Sequence, residues 1–275
     1  MNALVMGGGG PVGASWTAAL LHGLISAGLP AAESDVVVGT SAGSVVGAWL
    51  TMRPDDLLTV PVRMRQRAAW HARNRKSGHG DTSLLRRMAQ GSGQDVDAAR
   101  RIGAAAIAAI PPISADEAET LWKAFLPEGP WPPRLRAVAM NAGTGLVHAW
   151  SAQDGISLPV AVSCSTAAPG AAPPVAVAGS VWVDGGVRSS TNADLVVGFG
   201  EPGNVLVVAP MPADDLKREE AILTERGYRV RVIVAEPFYQ TPADLLDPGF
   251  IGKAAVSGAS QARDVAPDLL TWWDA

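Results

Sequence analysis

Cysteine, tyrosine and long uninterrupted apolar runs are scarce in this chain of 275 residues. The single Cys164 excludes an internal disulfide framework and fits a reducing compartment. The longest apolar stretches are shorter than the roughly 20 residues of a membrane-spanning helix, and the first residues lack the basic segment of a signal peptide. We therefore expect a cytoplasmic protein with no spanning helix.

Charge is also sparse, because only 17% of the residues are charged, and the net charge is −4. It is unevenly placed: residues 53–101 hold ten arginines and one lysine against five aspartates, so the rest of the chain is acidic. A solvated face is the usual role of such a segment, and peripheral contact with an anionic membrane is the functional alternative. Nucleic acid is not expected as a partner, since aromatic residues are not interleaved with the arginines.

Glycine and apolar residues, in contrast, are abundant. Apolar runs at 3–6 and 35–38 predict buried strands, and the spacing over 13–28 predicts the helix between them. This βαβ unit predicts an α/β fold with a mostly parallel central sheet sandwiched between helices. We expect one domain over residues 1–275, with a basic helical insertion or cap at about 53–130. Later strands are predicted in 134–151 (a hairpin), 180–186, 204–210 and 229–237, and helices at 42–52, 157–165, 213–226 and 248–265.

Four consecutive glycines follow the first predicted strand. Gly8, Gly10 and Gly13 match the G-x-G-x-x-G pattern of dinucleotide-binding proteins, but the second strand has no acidic residue at its far end to bind a ribose. The P-loop spacing also fits, yet Ala14 stands where the phosphate-binding lysine belongs. A nucleotide-binding oxidoreductase remains an alternative function at this point.

The far end of the second strand reads Gly39-Thr40-Ser41-Ala42-Gly43, the G-x-S-x-G pattern of a nucleophile elbow. Small residues around Ser41 permit a turn tight enough to present its hydroxyl at the sheet edge, and the next helix directs free amides to the same place. The structural alternative is an ordinary serine that caps its helix. Because neighbouring parallel strands open on one edge, the glycine loop should lie near Ser41 and offer amides to an oxyanion.

A nucleophilic serine needs a base. The four histidines give poor support for a triad, since none follows His148: His22 precedes Ser41 on a predicted core face, His71 and His79 lie in the basic segment, and His148 lies in the predicted hairpin. Asp184 is the stronger candidate because it ends an apolar strand and two glycines follow it. The structural alternative is an Asp-Gly turn.

Four motifs in the same order and spacing, "GGGGPVG" (7–13), "GTSAG" (39–43), "SCSTAAPGAAPPV" (163–175) and "DGG" (184–186), resemble the patatin-like phospholipase family over roughly residues 1–210. The resemblance implies a fold related to the cytosolic phospholipase A2 catalytic domain and a Ser–Asp dyad in place of a triad. One position differs, because Val12 stands where the family's glycine loop usually carries a basic residue. By resemblance, Ser41 is the nucleophile and Asp184 the base, the oxyanion hole comes from Gly8, Gly9, Gly10 and Ala42, and Gly13, Gly39, Gly43, Gly185 and Gly186 support the motifs.

The resemblance therefore implies an acyl-ester hydrolase acting on lipids through an acyl-enzyme, without a cofactor or a metal. Its expected partner is a lipid or acyl-ester substrate, with peripheral contact to anionic membrane through residues 53–101. Two alternatives remain: the nucleotide-binding oxidoreductase, and a catalytically inactive lipid-binding protein of the same fold.

Overall fold

The computed structural model describes residues 1–74, 82–93 and 95–274, which fold around one twisted sheet. Its strands in the described residues are ordered β3-β6-β7-β4-β2-β1-β8-β9, and β5 pairs with β4 outside this path. The central pairings of β4, β2, β1, β8 and β9 are parallel, so the mostly parallel sheet is confirmed. The strands are β1 (Ala3–Met6), β2 (Val36–Thr40), β3 (Ile113–Ser114), β4 (Leu135–Asn141), β5 (Val147–Trp150), β6 (Val175–Val177), β7 (Ser180–Asp184), β8 (Asn204–Ala209) and β9 (Arg229–Val234).

Helices cover both faces of this sheet. Successive strand residues point to opposite faces, and both sets are apolar, so each face needs a layer of helices to bury it. Leu4 and Met6 of β1 pack in the core beneath the first, second, third and ninth helices, whereas Ala3 and Val5 pack with the eighth helix and the short turn at 193–198. The helices are α1 (Gly10–Ser26), α2 (Ala42–Met52), α3 (Val60–Asn74), α4 (Thr82–Gln90), α5 (Val96–Ala109), α6 (Ala115–Lys123), α7 (Leu158–Ser165), α8 (Asp214–Glu225) and α9 (Ile251–Asp274).

Most predicted elements are present, with shifted bounds. The first helix begins at Gly10 rather than at residue 13, since Pro11 fits the first helical turn, where a missing N–H costs nothing. The last helix continues past Pro267 to Asp274 rather than ending at 265, because its final turns bury Trp272 and Trp273. Strands β3 and β6 were not predicted, since they are short and lie beside prolines.

The stretch predicted as a helical insertion or cap at 53–130 contains α3, α4, α5 and α6. Two of these helices pack directly on the sheet: α5 lies against Met140 and Val183 on one face, and α6 against Ala137 and Trp150 on the other. Helices α5 and α6 therefore belong to the layers that cover the sheet, and the division into one domain with an insertion or cap stays a prediction.

No helix in the described ranges is long and apolar enough to cross a membrane.

Candidate active site

Ser41 lies on a sharp turn between β2 and α2. Its backbone has φ 53° and ψ −117°, a conformation that is rare for a residue with a side chain. Glycines are required on both sides of it: a Cβ on Gly39 would lie 2.4 Å from the Gly43 carbonyl oxygen, and one on Gly43 would lie 2.0 Å from that of Met6. The predicted strand–turn–helix context of Ser41 is therefore present, with the strain typical of a nucleophile elbow.

The side chain of Ser41 makes no capping hydrogen bond to α2, so Ser41 is not the ordinary helix-capping serine that was the alternative interpretation. Its amide instead donates to the Ser165 hydroxyl at 2.9 Å, and its carbonyl accepts a 2.7 Å bond from the Ser44 hydroxyl. The residue is buried, with 8% of its surface exposed. These bonds fix the backbone of the turn and leave the Ser41 hydroxyl available.

The glycine loop packs against this turn, as the sequence predicts. A Cβ on Gly8 would lie 3.3 Å from Ser41 Cβ, so only a glycine permits the approach without displacement. The Gly8 amide, however, donates to the Ser190 carbonyl at 2.8 Å and is not available to an oxyanion. The amides of Gly9, Gly10 and Ala42 donate to no other residue in the part of the chain that the structure describes.

Val12, the position at which the resemblance shows a departure, is fully buried in α1 and belongs to the core. A long cationic side chain at this place would have to leave that core. The apolar residue is therefore consistent with its surroundings.

Asp184 reaches Ser41 through the register of β4. Val138 of β4 pairs with Thr40 of β2, and the next residue, Ala139, pairs with Asp184 of β7. Strand β5 occupies the opposite edge of β4 at both positions, so β2 and β7 meet end to end on one edge. Because β7 runs antiparallel to β4 while β2 runs parallel to it, the carboxyl ends of β7 and β2 meet. Asp184, at the end of β7, therefore lies next to the end of β2, from which Ser41 continues.

The Asp184 carboxyl group is completely buried. Its Oδ1 accepts a 2.8 Å bond from the Gly186 amide, whereas Oδ2 makes no hydrogen bond of ordinary geometry within the described residues. Burial raises the pKa of Asp184 to about 7, and this rise is partly offset by the Ser41 hydroxyl and the Gly186 amide. The carboxylate thus has the proton affinity of a base that works near neutral pH, with one oxygen unused.

Gly185 and Gly186 shape the turn that follows. A Cβ on Gly185 would lie 2.7 Å from the Val138 carbonyl oxygen, so the chain passes too close to β4 for a side chain. The turn over Gly185–Val187 returns the Gly186 amide to the carboxylate. The Asp-Gly turn of the alternative interpretation is thus present at Asp184. It lies next to the turn that carries Ser41, so the turn and a role at the site are compatible.

The histidines are placed elsewhere. His148 Nε2 lies 3.1 Å from Asp154 Oδ1, and its ring packs edge-on against Trp150. Since His148 and Asp184 flank Ala139 on opposite edges of β4, they are two strand spacings apart, about 10 Å. His22 and His71 are half-buried on α1 and α3, and His79 lies outside the described residues.

Asn192 joins the three parts of the site. Its amide nitrogen donates to Thr40 Oγ1 at 3.2 Å, to the Gly185 carbonyl at 3.2 Å and to the Ser189 carbonyl at 2.8 Å. It is fully buried with φ 53°, a left-handed conformation that asparagine tolerates. The two residues before it complete the junction, because the carbonyl of Ser190 accepts a bond from the Gly8 amide and that of Thr191 accepts one from the Thr40 hydroxyl.

Sequence reasoning missed Asn192 as well as Ser165. Ser165 lies in the "SCSTAAPG" motif, which was a usable signal, whereas nothing local marks Asn192. Both act through the backbone of the turn, and such contacts appear only once the strands are assembled.

Two apolar side chains lie beside the glycine turns of the site. Helix α4 packs against the turns at 185–187 and 242–246. Met88 Cε lies 3.8 Å from where a Cβ on Gly186 would be, and Leu246 Cδ2 lies 2.9 Å from that of Gly10. A separate cavity of about 600 Å³, lined by α6 and the loop before α7, includes neither Ser41 nor Asp184. The described residues contain no cluster of metal-binding side chains.

The fold is that of an α/β protein whose candidate residues gather at the carboxyl edge of a central parallel sheet. A sequence profile described as patatin-like phospholipase matches residues 4–197. The chain belongs to the patatin-like phospholipase family, a family of lipid acyl hydrolases.

Two other comparisons add little. The crystal structure of VipD from Legionella pneumophila is similar with a TM-score of 0.47 and 13% identity, over 97% of this chain and 67% of that chain. No curated protein matches the chain significantly.

Proposed function

We propose that this protein is a serine acyl-ester hydrolase acting on lipids, with Ser41 as nucleophile and Asp184 as general base. The observation that supports it best is the meeting of β2 and β7 on one edge of β4. That meeting brings a strained serine next to a buried carboxylate with an unused oxygen. Family membership supports the same chemistry.

In the first half of the reaction, the Ser41 oxygen attacks the ester carbonyl carbon while Asp184 accepts the hydroxyl proton. The tetrahedral oxyanion receives hydrogen bonds from the free amides of Gly9, Gly10 and Ala42; the Gly8 amide is engaged with Ser190 and instead supports the loop. The C–O bond to the alcohol then breaks, and Asp184 returns the proton to the leaving alcohol.

In the second half, a water attacks the acyl-Ser41 carbonyl and Asp184 takes its proton. Collapse of the intermediate releases the fatty acid and returns the proton to Ser41. A carboxylate of ordinary pKa is a weak base for an alcohol. The raised pKa of Asp184 strengthens the base, and the oxyanion amides lower the barrier further by stabilising the tetrahedral intermediate. An oxyanion donor is typically worth roughly 2.7–4 kcal/mol.

The apolar side chains of Met88 and Leu246, which lie beside Gly186 and Gly10, support an acyl chain as the group bound next to the ester. The nucleotide-binding alternative has less support, because Gly8 packs against Ser41 and Gly10 against Leu246. A cytoplasmic location with peripheral membrane contact is also part of the proposal; it rests on the buried, unpaired Cys164 and on exposed arginines within 53–101.

The test is substitution of the nucleophile. Ser41→Ala should abolish hydrolysis of p-nitrophenyl butyrate and labelling by a fluorophosphonate, while circular dichroism shows an unchanged fold. Ser34→Ala is the matched control, since Ser34 is also a buried serine and its hydroxyl donates to the Ala31 carbonyl, away from the elbow. A wild-type protein that is neither labelled nor active would instead support the inactive lipid-binding alternative.

A further inference from the structure

Arg67 is a charged side chain without a counter-charge in the described ranges of the chain. It lies on α3 with its Nε buried, and Nε has no hydrogen-bond partner. No carboxylate of the described residues forms an ion pair with it. Burial alone lowers the pKa of Arg67 to about 9, and no acidic group offsets that effect. Buried charges in proteins are normally paired, so an unpaired one indicates a partner from outside the chain.

The guanidinium is held in a fixed orientation. Its Cζ lies 3.8 Å from the centroid of the Trp122 ring, the distance of direct stacking. Stacking occupies the flat face of the group and leaves the N–H edges free to bind a carboxylate or a phosphate through two parallel hydrogen bonds. A cation–π contact alone is weaker than such a charge-assisted pair.

A second arginine lies one helical turn away. Arg63 lies 6.0 Å from the Trp49 ring centroid, and its only hydrogen bond to another described side chain is with Gln66. Two like charges at positions i and i+4 on a helix repel each other. An anion bound between them or at Arg67 would relieve that repulsion.

The contacts of Trp122 connect Arg67 to the elbow. Trp122 Nε1 donates to Thr166 Oγ1 at 3.0 Å, and Thr166 directly follows Ser165, whose hydroxyl accepts the Ser41 amide. Arg67 is therefore separated from the Ser41 turn by one ring and one short segment. Arg67, Trp122 and α7 thus lie on one face of the sheet, and the non-reacting part of a substrate that extends from Ser41 over this face would meet the guanidinium.

We propose that Arg67 is the specificity-determining residue of an anion subsite, which binds a phosphate or carboxylate carried by the acyl-ester substrate. This inference rests on the proposed function for its substrate. It predicts that the protein prefers acyl esters with a negatively charged group over neutral esters of the same acyl chain.

The experiment compares Arg67→Gln with Arg65→Gln. Arg65 is exposed on the same helix, so the two variants lose the same charge and only one loses the stacked guanidinium. The substrates are p-nitrophenyl butyrate, mono-p-nitrophenyl glutarate as the carboxylate arm, and the pair hexanoylglycerol and hexanoylglycerol phosphate as the phosphate arm.

In Arg67→Gln, kcat/KM for the charged substrates should fall at least about tenfold relative to the neutral ones, mainly through KM. Arg67→Lys should restore part of the preference, and Arg65→Gln should keep the wild-type ratio. The arm that loses its preference identifies the anion. An equal loss on neutral and charged esters, or the same loss in Arg65→Gln, would overturn the inference while the esterase function stood.

A binding measurement separates the two proposals. Inorganic phosphate should raise the Tm of the wild type and of Arg65→Gln, and should leave that of Arg67→Gln unchanged. If the wild type hydrolyses no ester, the proposed function fails and this shift still tests the anion site. An identical shift in all three proteins would show that no such site exists.

Discussion

At the scale of single residues, the decisive group is the buried carboxyl of Asp184. A base must be ionised to accept a proton, and the pKa of Asp184 is raised to about 7. We expect kcat/KM for a neutral ester to rise with pH through an apparent pKa near that value. Asp184→Asn should lower the activity about 10²–10⁴-fold above that pH, because an amide cannot take the proton, and by progressively less below it, where the wild-type carboxyl is itself protonated.

His148→Gln is the control for this prediction, since His148 contacts Asp154 and lies on the far edge of β4. It should leave both the rate and the pH profile unchanged, and a variant in which all four histidines are Gln should retain substantial turnover. Loss of activity in a well-folded His148→Gln protein would establish a triad in place of the dyad.

The same carboxyl predicts a pH dependence of stability. The folded pKa lies above the ordinary value of 3.8, so the folded state binds more protons than the unfolded state between the two values. Stability contributed by this group is present in acid and is lost as pH rises from about 4 to 7, by on the order of 4 kcal/mol at most. In urea unfolding, wild type should therefore lose stability relative to Asp184→Asn between pH 5 and pH 8; a constant difference would contradict the raised pKa.

At the scale of elements, the segment 188–194 holds the elbow, the glycine loop and the aspartate turn in one arrangement. Asn192→Asp replaces the amide NH₂ donor by a carboxylate oxygen that faces the oxygens of Thr40, Gly185 and Ser189. Asn192→Gly permits the same left-handed backbone and removes these hydrogen bonds. We expect kcat to fall roughly 10–100-fold in Asn192→Asp and less in Asn192→Gly, with KM little changed, because the reacting groups are misplaced rather than the substrate lost.

Asn204→Asp supplies the matched comparison. Asn204 is also buried and donates from its amide to a carbonyl, that of Trp273, far from the site. Asn204→Asp should lose roughly 1–3 kcal/mol of folding stability, the same range as Asn192→Asp, because each leaves a buried group unsatisfied. Unlike Asn192→Asp, it should keep the wild-type kcat. If Asn204→Asp lowered kcat as much, the role of Asn192 would be general stability and not placement.

The sequence was most informative where the signal is local. The runs before Gly7 and Gly39 predicted adjacent parallel strands, and the small residues around Ser41 predicted its turn. It was least informative where the signal is a long-range pairing: the antiparallel entry of β7 beside β2 depends on the register of β4, which no short window encodes. For the same reason, the engagement of the Gly8 amide by Ser190 and the bonds of Asn192 could not be predicted.

At the scale of the whole molecule, charge is divided between a basic segment and an acidic remainder. Arg65, Arg73, Arg86 and Arg87 project into solvent, whereas Arg100 and Arg101 pair with neighbouring aspartates. An anionic vesicle should attract this surface, with about 1 kcal/mol from each arginine near the lipid. Raising the ionic strength from 0.01 to 0.15 M should weaken binding, since the Debye length falls from about 30 to 8 Å.

The measurement is co-sedimentation with vesicles of phosphatidylserine and phosphatidylcholine. Arg86→Gln/Arg87→Gln should bind the anionic vesicles more weakly, and Arg226→Gln/Arg263→Gln, which removes exposed charge outside the basic segment, should not. Equal binding to neutral and anionic vesicles would remove the electrostatic contribution.

The strand order also determines when, during synthesis, the parts of the candidate site can come together. Strand β1, which leads into the glycine loop, is flanked by β2 and by β8, and β8 begins about 165 residues after β2 ends. The proposed nucleophile leaves the ribosome early, whereas its proposed base on β7 follows after about two thirds of the chain and β8 after about three quarters. Because domains assemble as the chain emerges, a nascent or truncated chain that ends before β7 carries the proposed nucleophile without its proposed base, and we expect it to be inactive. Under the proposed function, unfinished copies of the protein would therefore cleave no ester.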